Sequence, residues 1–256
     1  EVLSVPWGQP ILPEQVVERL SSGEFDAVTV VHNETSTGAT SPIQEIAQAI
    51  RAMPGGQDIM ILVDSVSGLS GARIEMDAWD LDVVLASSQK AFALPPGLAF
   101  CAVSDRALAK AKTIPARGYY FDFISLAKSI AKNQTPATPA VSLLYALDRQ
   151  LDDMMAEGME NRFTRHLAMR DRTLDWIKVK GFEIFSAAGY ASARTGHEFD
   201  EMPRRPPLAD RVENLASVGQ AVTNGDFEHT DAGYFRSRLF DPGQSAYRRQ
   251  VQKQRR

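Results

Sequence analysis

Two side chains in the first hundred residues carry the chemistry of this sequence: the amine of Lys90 and the carboxylate of Asp64. Lys90 ends "VLASSQK", where an apolar run stops at two serines and a glutamine before "PPG" turns the chain. Asp64 ends "DIMILVD" and is followed by "SVSG". A third polar stretch, "HNETSTG" from His32, follows the apolar run "FDAVTVVH". A primary amine condenses with an aldehyde, and a carboxylate can keep a ring nitrogen protonated so that the ring takes up electrons. Thr35, Ser36, Ser87 and Ser88 offer hydroxyls for a phenolic oxygen and a phosphate. Together these groups suit pyridoxal 5′-phosphate. Taken singly, each has a plainer reading: a strand-end Asp caps a helix or loop, and a Lys after a strand is solvated.

Such groups can meet only if several strands end at one edge of a sheet. Four runs read as strands, "FDAVTVVH" (25–32), "DIMILVD" (58–64), "LDVVLASS" (81–88) and "GLAFCAVS" (97–104). The first has the continuous apolar character of a buried parallel strand. Between the first two, Ser41 and Pro42 start a helix with Gln44 at the capping-box position. Ile43, Ile46, Ala47 and Ile50 share one face of it, and "PGG" ends it. This alternation predicts an α/β fold with a mostly parallel sheet flanked by helices. Ligands of such sheets bind beyond the carboxyl ends of the strands, where Thr35, Asp64 and Lys90 fall.

From about Thr138 to Arg170 the periodicity is helical, and "FEIFSAA" (182–188) reads as a short strand. The expected organisation is a partial cofactor-binding large domain over 1–150, the start of a small C-terminal domain over 151–192, and an atypical tail over 193–256. That tail is rich in arginine, and residues 245–256 hold five basic residues and no acid. It reads either as solvated, disordered chain or as out-of-frame text. The chain opens on Glu1 with strand-and-turn text, as a piece of a longer polypeptide would.

The net charge of −4 argues against nucleic acid or an anionic membrane as the main partner. A single cysteine, Cys101, forms no internal disulfide and fits a reducing cytoplasm. The four histidines are scattered without metal-ligand spacing. His32 reads either as facing the crevice or as satisfying backbone groups at a strand end. Met154, Met155 and Met159 read as helix packing, and Trp7 and Trp79 as core or edge aromatics.

"VVHNETSTGATSPIQEI", "ILVDSVSGLSG", "DVVLASSQKAFALPPGLAF" and "TPATPAVSLLYAL" occur in an order and spacing that resembles the class V, fold type I aminotransferases. The alanine–glyoxylate and serine–pyruvate branch is the most similar, over roughly residues 1–192. The resemblance implies that Lys90 forms the Schiff base with pyridoxal 5′-phosphate and that Asp64 pairs with its ring nitrogen. It also implies that Thr35 bonds the phenolic oxygen, Gln89 contacts the phosphate and Val66 packs on the ring. Gln134 and Thr135 would reach the phosphate of a neighbouring subunit, which implies a homodimer. The implied reaction is transamination between a small amino acid and a 2-oxo acid such as glyoxylate or pyruvate. Lys90 would be the base and the kinetics ping-pong.

Two parts of the family pattern are missing. The segment that precedes this start in family members, with its phosphate-holding turn and ring-stacking aromatic, has no counterpart in residues 1–24. The arginine that binds the substrate carboxylate is echoed only superficially by "ARTGH" around Arg194. An inactive, dimerising family member and a lyase using the same cofactor are therefore the alternatives. A desulfurase would need a cysteine on a mobile loop, and Cys101 falls inside a strand.

Overall fold

The computed structural model describes residues 1–187 and 189–191. Its centre is a four-stranded sheet in the order β1, β3, β4, β5, numbered along the chain with the small hairpin between the first two counted as β2. The strands are β1 (Ala27–Val31), β3 (Met60–Asp64), β4 (Val83–Ser87) and β5 (Ala99–Val103). β1, β3 and β4 are parallel, with Val31 opposite Asp64 and Asp64 opposite Leu85. β5 runs antiparallel to β4, because the "PPG" loop reverses the chain instead of carrying it over the sheet. The expected α/β class and mostly parallel sheet are therefore found. The hairpin, β2, pairs Asn33–Glu34 with Ala39–Thr40, in the stretch expected to be a loop.

One face of the sheet is closed by two helices. α1 (Pro13–Ser21) was not anticipated in the opening strand-and-turn text. Its signals are Pro13 at the first turn, Gln15 Oε1 accepting from Leu12 N at 2.9 Å, and Val16 and Leu20 on one face. α2 (Ile43–Ala52) buries Ile43, Ile46, Ala47 and Ile50, as their spacing predicts. Its capping box does not form. Pro42 is the N-cap and has no side-chain bond, while Ser41 is buried and its N–H donates to His32 O at 2.8 Å. The helices pack on Val30, Ile61, Val63 and Val84.

The opposite face carries Val31, Leu85 and Cys101 exposed. β1 is thus not the doubly buried strand expected. It is an edge strand, and Val30 alone of its residues is buried.

At the end of the sheet opposite the polar loops, Asp82 is fully buried beneath β4. It accepts from Arg106 Nε at 2.7 Å, Ile61 N at 2.8 Å, Arg51 Nη2 at 2.9 Å and Ser104 Oγ at 3.0 Å. This ties β3, β4, α2 and the next helix, α3 (Asp105–Thr113), whose N-cap is Ser104. α4 (Phe123–Ile130) is capped by Asp122.

The helical stretch expected from Thr138 becomes α5 (Val141–Glu157) and α6 (Met159–Val179), divided at Gly158 with φ +81°. Met154 and Met159 pack with Ala86 and Phe92, whereas Met155 is exposed and lies outside that cluster. The strand expected over 182–188 does not form. Over its described residues, 182–187, the chain is irregular and tied back by Phe182 N to Ile177 O and Ala187 N to Gly8 O. Trp7 is 79% exposed and not part of the core, while Trp79 packs partly against it. The tail over 193–256 and Arg194 lie outside the described residues. Among the described residues no helix is long and apolar enough to cross a membrane.

Candidate active site at the strand ends

The three polar stretches meet at the carboxyl ends of β1, β3 and β4. His32 N donates to Asp64 O at 2.8 Å and Ser65 N donates to Leu85 O at 2.9 Å, so the ladder continues one residue past each strand. Asp64 stands on the exposed face of the sheet between Val31 and Leu85. Its Oδ1 accepts from Val66 N at 2.9 Å, an Asx-type turn that fixes the carboxylate. The other carboxylate oxygen accepts no hydrogen bond among the described residues.

Two cross-links hold the first loop to the second. Thr35 Oγ1 and Ser67 Oγ share a short hydrogen bond. His32 Nδ1 and Ser65 Oγ lie 2.9 Å apart, both buried. The His32 ring is thus buried and held by the Ser65 hydroxyl, not by a backbone group as one of its two readings has it. Burial pushes its pKa down to about 4, so the ring is neutral near pH 7. Gly68 is required by this contact, since a Cβ there would lie 2.5 Å from His32 Nδ1 and 2.9 Å from Ser65 Oγ.

The four candidate hydroxyls divide by their partners. Ser88, fully buried, donates through Oγ to Pro95 O at 2.7 Å and accepts from Leu98 N at 3.2 Å. It staples the "PPG" loop and is not available to a ligand. Ser36 is turned onto Glu34 Oε1, and its backbone and side-chain hydrogen bonds lower the Glu34 pKa. Ser87 Oγ is buried with no hydrogen-bond partner among the described residues, on the same sheet face as Asp64 and Leu85. Thr35 faces the second loop through Ser67.

Lys90 lies in the turn after β4, half-buried, and its carbonyl accepts from Ala93 N at 2.9 Å. Gln89 beside it is exposed, and Val66 is half-buried on the second loop. Gln134 and Thr135 are not brought to these loops. They lie exposed between α4 and α5 with local bonds, Gln134 N to Ser129 O and Thr135 Oγ1 to Ala137 O. Among the described residues no group of three His, Cys, Asp or Glu is placed to hold a metal ion.

The donor set fits pyridoxal 5′-phosphate. An amine and a carboxylate with an open oxygen come from neighbouring strand ends. The orphaned Ser87 Oγ, buried without a partner, needs one.

The family described as aminotransferase class-V matches residues 7–195. An uncharacterized aminotransferase of Methanocaldococcus jannaschii is 41% identical over 85% of this chain and 58% of its own length. A serine–glyoxylate aminotransferase of Methylorubrum extorquens is 35% identical over 69% of this chain and 46% of its own. Among solved structures, the alanine–glyoxylate aminotransferase of Nostoc sp. superposes with a TM-score of 0.69 at 27% identity. That match covers 75% of this chain and 50% of the Nostoc protein. The chain spans about half the length of the curated relatives it matches.

Proposed function

This chain belongs to the class-V aminotransferase family, and we propose that its strand-end site binds pyridoxal 5′-phosphate to move an amino group between a small amino acid and a 2-oxo acid. The donor is of the alanine or serine type and the acceptor of the glyoxylate or pyruvate type, as the names of the relatives suggest. The observation that carries the reading is the meeting of Thr35, Asp64 and the Lys90 turn at three adjacent strand ends. The bound cofactor supplies an aldehyde that condenses with amines and a ring that takes up the electron pair left when the substrate's α-C–H bond breaks.

The chain's own residues do the rest. Lys90 would hold the cofactor's aldehyde end, and its amine would serve as the base for the proton at the substrate's α-carbon. Asp64, held by Val66 N, would keep a proton on the ring nitrogen through its other oxygen. Thr35 would bond the phenolic oxygen, Gln89 and the Ser87 hydroxyl would serve the phosphate end, and Val66 would pack against the ring. Gln134 and Thr135 serve a partner subunit's phosphate in a homodimer working in the cytoplasm. Residues 1–150 form the large-domain part and 151–192 lead into the small domain.

The test is an assay of pyruvate formed from alanine, and of hydroxypyruvate formed from serine, with glyoxylate and added cofactor. Turnover that vanishes in Lys90→Ala supports the reading. Cofactor binding without turnover favours the inactive family member, and no binding refutes the site.

A further inference from the structure

Arg162, on α6, is 6% exposed, and all three of its guanidinium nitrogens are used. Nη2 donates to Ala91 O at 2.5 Å, Nε to Ser70 O at 2.9 Å and Nη1 to Glu157 Oε2 at 3.1 Å. The two carbonyls belong to the two loops that matter. Ala91 follows Lys90 directly, and Ser70 closes the loop that begins at Asp64.

Both loops hold a non-glycine residue in left-handed backbone, Ser70 at φ +73° and Ala93 at φ +54°. Such conformations are costly and persist where surrounding contacts over-determine them. A Cβ on Gly71 would come within 3.1 Å of the Ala91 Cβ, so the loops also pack closely. Phe92 in the same turn is buried with Ala86 and Met154, which anchors it to the helical layer. Glu157 offsets the buried charge. Hydrogen bonds from Arg165 and then Arg162 hold its carboxyl down to about 2, so it stays ionised at any working pH.

We propose that Arg162 is the positioning residue of the site: its fork locks the Lys90 turn to the Asp64 loop and so fixes where the amine stands relative to the carboxylate. This rests on the assignment of Lys90 as the cofactor-binding lysine. Arginine suits the task because its planar fork reaches two divergent carbonyls and a carboxylate together. A lysine's single nitrogen cannot span them in the same way. The role is distinct from catalysis, since Arg162 touches neither the Lys90 amine nor the Asp64 carboxylate.

The test uses the full chain with pyridoxal 5′-phosphate, trapped by borohydride and mapped by peptide mass spectrometry. The trapping rate at Lys90 is taken relative to that at exposed Lys132 in the same molecule. Arg162→Met should lower this ratio on the order of tenfold to a hundredfold, the usual cost of a misplaced reacting group. Arg162→Lys should recover part of it. The induced circular dichroism of the bound chromophore, which reports its orientation, should fall in the same order. Urea unfolding of each variant shows whether it is folded, and if Arg162→Met is not, Arg162→Lys and Arg162→Gln decide. A folded variant with the wild-type ratio and dichroism overturns the role of Arg162. A wild-type protein that traps nothing at Lys90 overturns the lysine assignment instead, and the two failures are told apart by the wild type alone.

Discussion

Replacing Asp82 by Asn probes the frame that sets the site's register. Asp82 receives two donors on each oxygen, Arg106 Nε and Ser104 Oγ on one, Arg51 Nη2 and Ile61 N on the other. The Asn amide turns one acceptor into a donor. The least damaging orientation points it at Ser104, whose hydroxyl can rotate to accept, and at Arg106, which is partly exposed. Both arginines keep the exposed Asp80 as a partner, with Arg51 Nε at 2.7 Å and Arg106 Nη2 at 3.2 Å. The cost should therefore lie near the low end for breaking a buried ion pair, about 3 kcal/mol.

With a urea slope of about 2 kcal/mol/M, the unfolding midpoint should fall by about 1.5 M. The pH dependence gives a second reading. Burial alone would raise the Asp82 carboxyl, but hydrogen bonds from Arg106, Ile61, Arg51 and Ser104 together hold it below its ordinary value. A carboxyl lowered in the folded state stabilises above its unfolded pKa of about 3.9, and that stabilisation is lost as pH falls through the folded value. The wild type should lose this component on acidification and Asp82→Asn should not. A midpoint unchanged within about 0.3 M, where surface substitutions usually fall, would refute the account of the network.

Three further outcomes are expected. His32, lowered from 6.5 to about 4, lets the unfolded chain bind its proton first as pH falls below 6.5. Uptake of that proton by the unfolded chain therefore costs the fold up to about 3 kcal/mol as pH falls from 6.5 to 4; urea unfolding at pH 7 and 4.5 should show most of that loss in the wild type and not in His32→Gln. Gly68→Ala places a Cβ against His32 and Ser65 and should destabilise by about 1–3 kcal/mol, with weaker cofactor binding in a spectrophotometric titration; wild-type stability would mean the loops yield freely. Arg162→Met should slow trapping at Lys90 relative to Lys132, as set out above.

The sequence made the sheet legible because its strands are short apolar runs ending in polar clusters, and those clusters lie at the strand ends that meet in space. It did not reveal the brace beneath them. Arg162 stands 71 residues from Ala91 and 92 from Ser70, with nothing local to mark it as other than a surface arginine. Ser88 looked as available as Ser87, because only the path of the "PPG" loop decides which hydroxyl is consumed. The capping box at Ser41 does not form because the helix begins one residue later, with Pro42 at the N-cap. α1 was legible in Pro13, Gln15, Val16 and Leu20 but was masked by the irregular text before it. "FEIFSAA" has strand composition, yet over its described residues, 182–187, the backbone is held by Phe182 N on Ile177 O and Ala187 N on Gly8 O and not by a strand ladder.

The central claim is that Lys90 is the amine this site presents to an aldehyde cofactor. Borohydride trapping of the wild type with a stoichiometric amount of pyridoxal 5′-phosphate, followed by peptide mapping, tests it most directly. One dominant adduct is expected, on Lys90, and it should be absent from Lys90→Ala. Label spread over exposed lysines such as Lys128 and Lys132, with none on Lys90, would contradict it.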